Sequence, residues 1–270
     1  GKANFAKGIF YPVRIGFDRP PSAEARSMDL LLSEMGEAGV EYGVIMGRQS
    51  VEPLGAIPND EIAACINAHP GRFLGWAGID LNQPMEACLS EVRRCIRELG
   101  FKGVSIEPSI ARDESYSRAD DRRLYPVYEE CVRLNVPVNI SLSAVLQSTV
   151  NRPYELGNPI QIYQIAKDFP ELDIHVAHAA WPYVMEMIGV CFVCPNVWLS
   201  PDQYMIKMVP AAQEYVKAAN HYFQDRTLFG TSYPSKPLAP MVQAYKDWEW
   251  FPGVADKVLH QNARRLMRMM

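Results

Sequence analysis

The chain has 270 residues, 48% of them hydrophobic and 21% charged, with a formal net charge of -4. That is long enough for one large core or two small ones, and the 27 basic residues are scattered, which excludes a nucleic-acid partner held by phosphate neutralisation. No apolar run approaches the ~18–20 residues that span a bilayer and no secretory signal opens the chain, so no membrane partner and a cytoplasmic location are expected.

In chain order, residues 1–21 read as a long lid-like loop rich in Phe, Lys and Arg. Residues 22–39 read as a helix, with Met28, Leu31, Leu32 and Met35 at helical spacing. Short apolar, often β-branched runs follow: "YGVIMG" from 42, "FLGWAGID" from 73, "FKGVSIEP" from 101, "PVNISLS" from 137, "DIHVAH" from 173, "NVWLSP" from 196 and "TLFGTSYP" from 227. Each reads as a strand buried on both faces. They recur roughly every 30 residues, the length of a strand, a helix and two loops. Met85, Cys88, Leu89, Val92, Cys95, Ile96 and Leu99 mark one intervening helix, and a last helix runs from about Val254 to Met267.

The six cysteines lie mostly at helix-like spacings inside apolar stretches, as reduced thiols do. Cys191 and Cys194 form a C-x-x-C without a second pair, which favours packing over a redox or zinc role.

Seven strands alternating with helices fit an open doubly wound sheet or an α/β barrel lacking one strand. The opening decides: a loop and helix with no strand before them imply a distorted (β/α)8 TIM barrel whose first strand lies upstream of Gly1. No low-complexity linker interrupts the chain, so residues 1–270 are expected to form a single domain, with 22–270 as the barrel.

"DIHVAHAAWPY", "FGTSYP" and "VADKVLHQNARRLM" resemble, in that order, the sixth-strand His segment, the eighth-strand "GTDYP" segment and the closing helix of the amidohydrolase-related (amidohydrolase-2) family; "DDRRLYPVYEECVRLNVPV" resembles its helix leading into the fifth strand. The resemblance implies a barrel whose C-terminal mouth holds zinc or manganese, in enzymes that hydrolyse, decarboxylate or hydrate small acids. It also implies a ligand set of a first-strand H-x-H, a fifth-strand His, a sixth-strand His and an eighth-strand Asp. Only His178 matches. Ser141 and Ser232 stand at the fifth- and eighth-strand positions, and hydroxyls are poor ligands for such metals. No metal site is therefore expected.

His178, taken as the last residue of its strand, is expected at the mouth as a catalytic acid or base, with His175 facing the other way. Glu107 and Asp202, at strand ends, are catalytic carboxylate candidates; a salt bridge or cap is the plainer role for each. Arg48 offers a planar fork to a substrate carboxylate. Ser141, Ser232, Tyr204, Tyr233 and Trp181 complete the expected substrate-binding set, with Trp76 a further aromatic candidate and Lys236 a weaker basic one. His69, His221 and His260 read as structural.

The leading expectation is a hydrolase or lyase acting on a small acidic, possibly aromatic-derived compound, by lactone or ester hydrolysis or by decarboxylation, without a tightly bound metal. Two alternatives are a divalent-metal (Zn or Mn) amidohydrolase using ligands from the missing strand, and a noncatalytic small-molecule-binding barrel. A small-molecule substrate is the expected partner, and a homo-oligomer is left open.

Overall fold

The computed structural model describes residues 16–52 and 54–269. Its strands in chain order are β1 (Gly43–Met46), β2 (Arg48–Gln49), β3 (Ala56–Ile57), β4 (Phe73–Gly78), β5 (Gly103–Ile106), β6 (Val138–Ser141), β7 (Ile174–Ala177) and β8 (Val197–Ser200). β2 and β3 form a small antiparallel ribbon; the others make one parallel sheet in the order β1-β4-β5-β6-β7-β8. Helices Asn59–Ala68, Met85–Arg97, Tyr125–Leu134, Ile160–Asp168 and Val184–Val193 connect successive strands of this sheet. Sheet order equals chain order, as short right-handed crossovers dictate.

The sheet curls into a barrel wall. The rings of Trp76 on β4 and His175 on β7 meet edge-on at 5.9 Å although β5 and β6 lie between them, so the concave face closes on itself. The segment "TLFGTSYP" joins β8 by a single parallel bridge, Leu199 to Thr227, rather than as the regular strand expected. It stays alongside, with the Leu228 amide donating to the Leu199 carbonyl at 2.7 Å. The strand expected upstream of Gly1 lies outside the described residues. Among those described, β1 is a sheet edge, and Val44 is 39% exposed rather than buried on both faces.

The helix expected over 22–39 is two helices, Pro21–Ala25 and Met28–Glu37, parted by Arg26 in the left-handed region and by Ser27, whose hydroxyl caps the Leu30 amide at 3.3 Å. The terminal helix carries a π turn at Lys257–Gln261. Its Asn262 is buried and donates to the carbonyls of Gln224 and Thr227, both at 2.8 Å. The "NARRLM" motif thus ties the last helix to the start of the segment beside β8.

TIM-barrel interiors are usually layers of branched aliphatic side chains. Here Met46, Leu74, Trp76, Trp198, Leu228, Leu266 and Met267 form an apolar cluster within the barrel. Above it the inward positions carry Ser105, Asn139 and His175, then Ser141 and Ser200, all buried. A polar layer therefore separates the apolar plug from the mouth. All six cysteines are free, and Cys191 and Cys194 are buried.

Candidate active site

The C-terminal ends of the strands bring Arg48, Glu107, Ser141, His178 and Asp202 to one rim. Three of the turns that follow the strands are in unusual backbone. His178, Ala179 and Ala180 after β7, Asp202 after β8 and Ser232 beyond the bridge all have positive φ, from 44° to 67°. Left-handed backbone costs an L-residue ~1–2 kcal/mol, so such residues persist only where surrounding bonds fix them.

Those bonds are present at His178. The strand ends at Ala177, and the His178 amide donates to Asp202 Oδ2 at 3.1 Å. The Ala180 amide donates to Leu142 O at 2.9 Å and the Tyr215 hydroxyl to Ala179 O at 2.8 Å. This corrects the expected facing of the two histidines. Because His178 lies beyond the strand, Ala177 and His175 hold the inward positions, and His175 Nε2 meets Ser200 Oγ at 2.8 Å inside the barrel. Burial pushes the His175 imidazole down to about 4, so it is neutral at pH 7.

His178 Nδ1 lies 3.0 Å from Asp202 Oδ2, off the axis of an ideal hydrogen bond. The Asp202 carbonyl in turn accepts from the buried Tyr245 hydroxyl at 3.0 Å. A Cβ on Gly230 would come within 1.7 Å of Asp202 Oδ1, so only glycine admits the carboxylate at that point. Tyr204 stands edge-on to His178 at 6.1 Å and stacks on Trp181 at 4.8 Å with the planes 5° apart. Its hydroxyl lies 3.4 Å from Ser143 Oγ.

Across the rim, Glu107 is 4% exposed at its side chain and receives the Arg48 fork, Nε to Oε2 at 3.0 Å and Nη2 to Oε1 at 2.8 Å. The Ser50 hydroxyl also donates to it. Burial works to raise the Glu107 pKa. The Arg48 charge and hydrogen bonds from Arg48, Ser50 and Ser141 overcome that and hold it below the ordinary carboxylate range. Two residues expected to act separately, on a proton and on a substrate carboxylate, thus bind each other.

Ser232 Oγ is buried without a hydrogen bond. Tyr233 turns toward the amino-terminal helices, its hydroxyl 3.1 Å from Ser22 Oγ. Lys236 donates to the Phe17 carbonyl at 3.3 Å. The lid-like loop expected at 1–21 lies outside the described residues up to residue 15. Two open grooves lie elsewhere, one of ≈ 350 Å³ beside Asp80 and Arg94 and one of ≈ 560 Å³ between Lys217 and Trp250.

The profile of the amidohydrolase family, in its amidohydrolase-2 branch, matches residues 13–269. The chain belongs to that family. A solved uncharacterized TIM-barrel protein from Bordetella bronchiseptica is 33% identical, with 99% of this chain and 91% of that one covered and a TM-score of 0.88. The 2-amino-3-carboxymuconate-6-semialdehyde decarboxylase of Dictyostelium discoideum is 31% identical over 112 residues, 42% of this chain and 30% of that protein. The chain spans less than half the length of the first curated relatives it matches. At 18% identity and a TM-score of 0.71, a dihydroxybenzoic acid decarboxylase from Polaromonas, solved with manganese and 2-nitroresorcinol, shares the fold over 92% of this chain and 89% of its own.

The family's metal can be tested against the donors present. At the family's ligand positions this chain offers His178, already against Asp202, and the hydroxyls of Ser141 and Ser232; Glu107 is engaged by Arg48. Among the described residues no three His, Cys, Asp or Glu side chains gather to hold a metal ion. This donor set does not fit a tight zinc or manganese site, which takes three or more imidazole, thiolate or carboxylate ligands.

Sequence reasoning missed Asn139, Ser105, Ser200, Ser50 and Gly230. A signal for Asn139 and Ser105 was available: polar residues at alternate positions of runs that are otherwise apolar, as in "VNIS" and "VSIE".

Proposed function

We propose that the mouth is the active site of a lyase or hydrolase for a small acidic, aromatic-derived compound, with His178 as the acid–base group. The observation that carries this is the His178–Asp202 pair, held in left-handed backbone at the ends of two adjacent strands. The amidohydrolase-2 decarboxylases among its relatives support the reaction class.

In this reading Asp202 is a positioning residue. Its carboxylate fixes the backbone and ring of His178 and directs Nε2 toward the mouth. A substrate ring stands against the Trp181–Tyr204 stack. Arg48, anchored by Glu107, sets a fixed positive charge toward the substrate carboxylate, with Ser141 and Ser232 lining the same rim. His178 then protonates the ring carbon as carbon dioxide leaves, or takes a proton from water attacking an ester or lactone. Tyr233 serves the loop that shapes the mouth.

The test is turnover of a panel of hydroxybenzoic acids, lactones and aryl esters by wild type and His178→Asn. General acid–base catalysis contributes ~10²–10⁴-fold, and kcat/KM is expected to fall by that much with the melting temperature kept. Near-wild-type turnover with a lowered melting temperature would make His178 structural. No turnover by wild type across the panel, together with saturable ligand binding, would favour a noncatalytic binding barrel.

A second reading, a divalent-metal enzyme completed by residues outside those described, is favoured by the manganese of the Polaromonas decarboxylase. It predicts one equivalent of zinc or manganese surviving dialysis; the first reading predicts well under one.

A further inference from the structure

Apart from Ser141, the polar layer beneath the mouth has no part in the chemistry just proposed, yet its bonding is incomplete in a specific way. Asn139 Nδ2 donates to Ser105 Oγ at 3.1 Å and more weakly to Ser141 Oγ at 3.4 Å, and His175 Nε2 pairs with Ser200 Oγ. Two atoms of the layer, Asn139 Oδ1 and His175 Nδ1, and one of the plug below it, Trp76 Nε1, remain without a hydrogen bond. Their residues are 0%, 9% and 2% exposed. Asn139 and His175 are direct cross-strand partners on β6 and β7, and the Trp76 ring stands edge-on to His175, so His175 borders both of the others inside the barrel.

Leaving a buried polar atom unpaired costs about 1–3 kcal/mol, and such atoms are nearly always partnered by protein, water or ligand. In the tautomer in which the Ser200 hydroxyl donates to Nε2, His175 carries its proton on Nδ1. In that tautomer the three residues present two donors, His175 Nδ1–H and Trp76 Nε1–H, and one acceptor, Asn139 Oδ1. A hydroxyl group supplies the complement, one proton and two lone pairs. A carboxylate or a ketone would leave Asn139 Oδ1 unpaired. An anion would also sit below the ionised Glu107 without a facing cation, because His175 is neutral there.

We propose that Trp76, Asn139 and His175 form a buried binding site for one uncharged hydroxyl at the floor of the mouth. The hydroxyl comes either from a resident water or from a hydroxyl substituent of the substrate. The second source rests on the reading of the mouth as an active site; the first does not.

The test uses ¹⁵N-labelled protein and needs no turnover, so its failure is separate from failure of the proposed function. The Trp76 indole N–H signal is assigned by its loss in Trp76→Phe. A resident water gives a long-lived cross-peak between that indole proton and water. A substrate-type hydroxyl is probed with phenol against toluene: phenol alone should shift the Trp76 indole and His175 Nδ1 signals, saturably. Should Trp76→Phe not fold, the indole is assigned by triple-resonance connectivity, and Asn139→Leu, which removes the acceptor, must abolish the water cross-peak or weaken the saturable phenol shift. No water cross-peak, together with equal or absent shifts from phenol and toluene, overturns the site and makes the layer a dry one.

Discussion

The two halves of the rim each carry a paired acid and base, built in opposite ways. Arg48 and Glu107 meet through a two-point fork with a serine hydroxyl in support, and neither residue has positive φ. His178 and Asp202 meet through a backbone amide hydrogen bond and one off-axis side-chain contact, and both stand in left-handed backbone. The first arrangement is a buried charge pair; the second holds an imidazole beside a carboxylate in left-handed backbone. On the function proposed above, pairing geometry and backbone strain would separate a group held for electrostatics from one held for proton transfer.

The sharpest way to break this comparison is Gly230→Ala. Its methyl would overlap Asp202 Oδ1, so Asp202 must move and His178 loses its anchor. We expect kcat/KM to fall by ~10²-fold or more, approaching the His178→Asn loss, with kcat carrying most of it. An unchanged kcat would free His178 from dependence on Asp202.

Glu107→Gln probes the other half. Breaking one side of a buried pair typically costs ~3–5 kcal/mol, and the partial exposure of Arg48 places the expected loss at or below the low end, about 2–3 kcal/mol. Urea denaturation measures it. A loss under about 0.5 kcal/mol would mark the fork as a surface-type pair.

Acid titration sharpens the contrast within the barrel. The unfolded His175 binds a proton near pH 6.5, and the folded one only near pH 4. The unfolded chain therefore holds the extra proton between these values. Its contribution to stability is complete above pH ~6.5 and is lost as pH falls toward 4, by up to ~1.4 kcal/mol per unit. His175→Gln should flatten that slope. The Glu107 contribution, with its pKa lowered, is lost only below the ordinary carboxylate range and should survive the change.

The smallest effect is expected at the aromatic wall. Trp181→Leu removes the stack on Tyr204, worth ~0.5–1.5 kcal/mol, and should raise KM for a ring substrate by up to about tenfold with kcat little changed. A fall in kcat with KM constant would instead tie Trp181 to the positioning of His178.

Much of the barrel was legible because its signals are local. The amphipathic stripe of 85–97 and the strand runs at 43–46, 73–78, 103–106, 138–141, 174–177 and 197–200 fall where periodicity and Gly or Pro punctuation set them. The segment at 227–234 misled, because its apolar residues look like a strand while Gly230 and Ser232 serve the carboxylate of Asp202 and a turn.

By itself, the sequence determined the alternating α/β order, the family and the residues that stand at strand ends, since these depend on spacing and composition along the chain. Tertiary structure alone decided which histidine faces inward, because β7 ends at Ala177 only where Asp202, 24 residues away, takes the next amide. It also decided that Arg48 and Glu107, 59 residues apart, hydrogen-bond each other. No periodicity encodes such pairs: they form when strands distant in sequence bring two chemically matched groups within bonding distance, and burial makes leaving either one unpaired too costly.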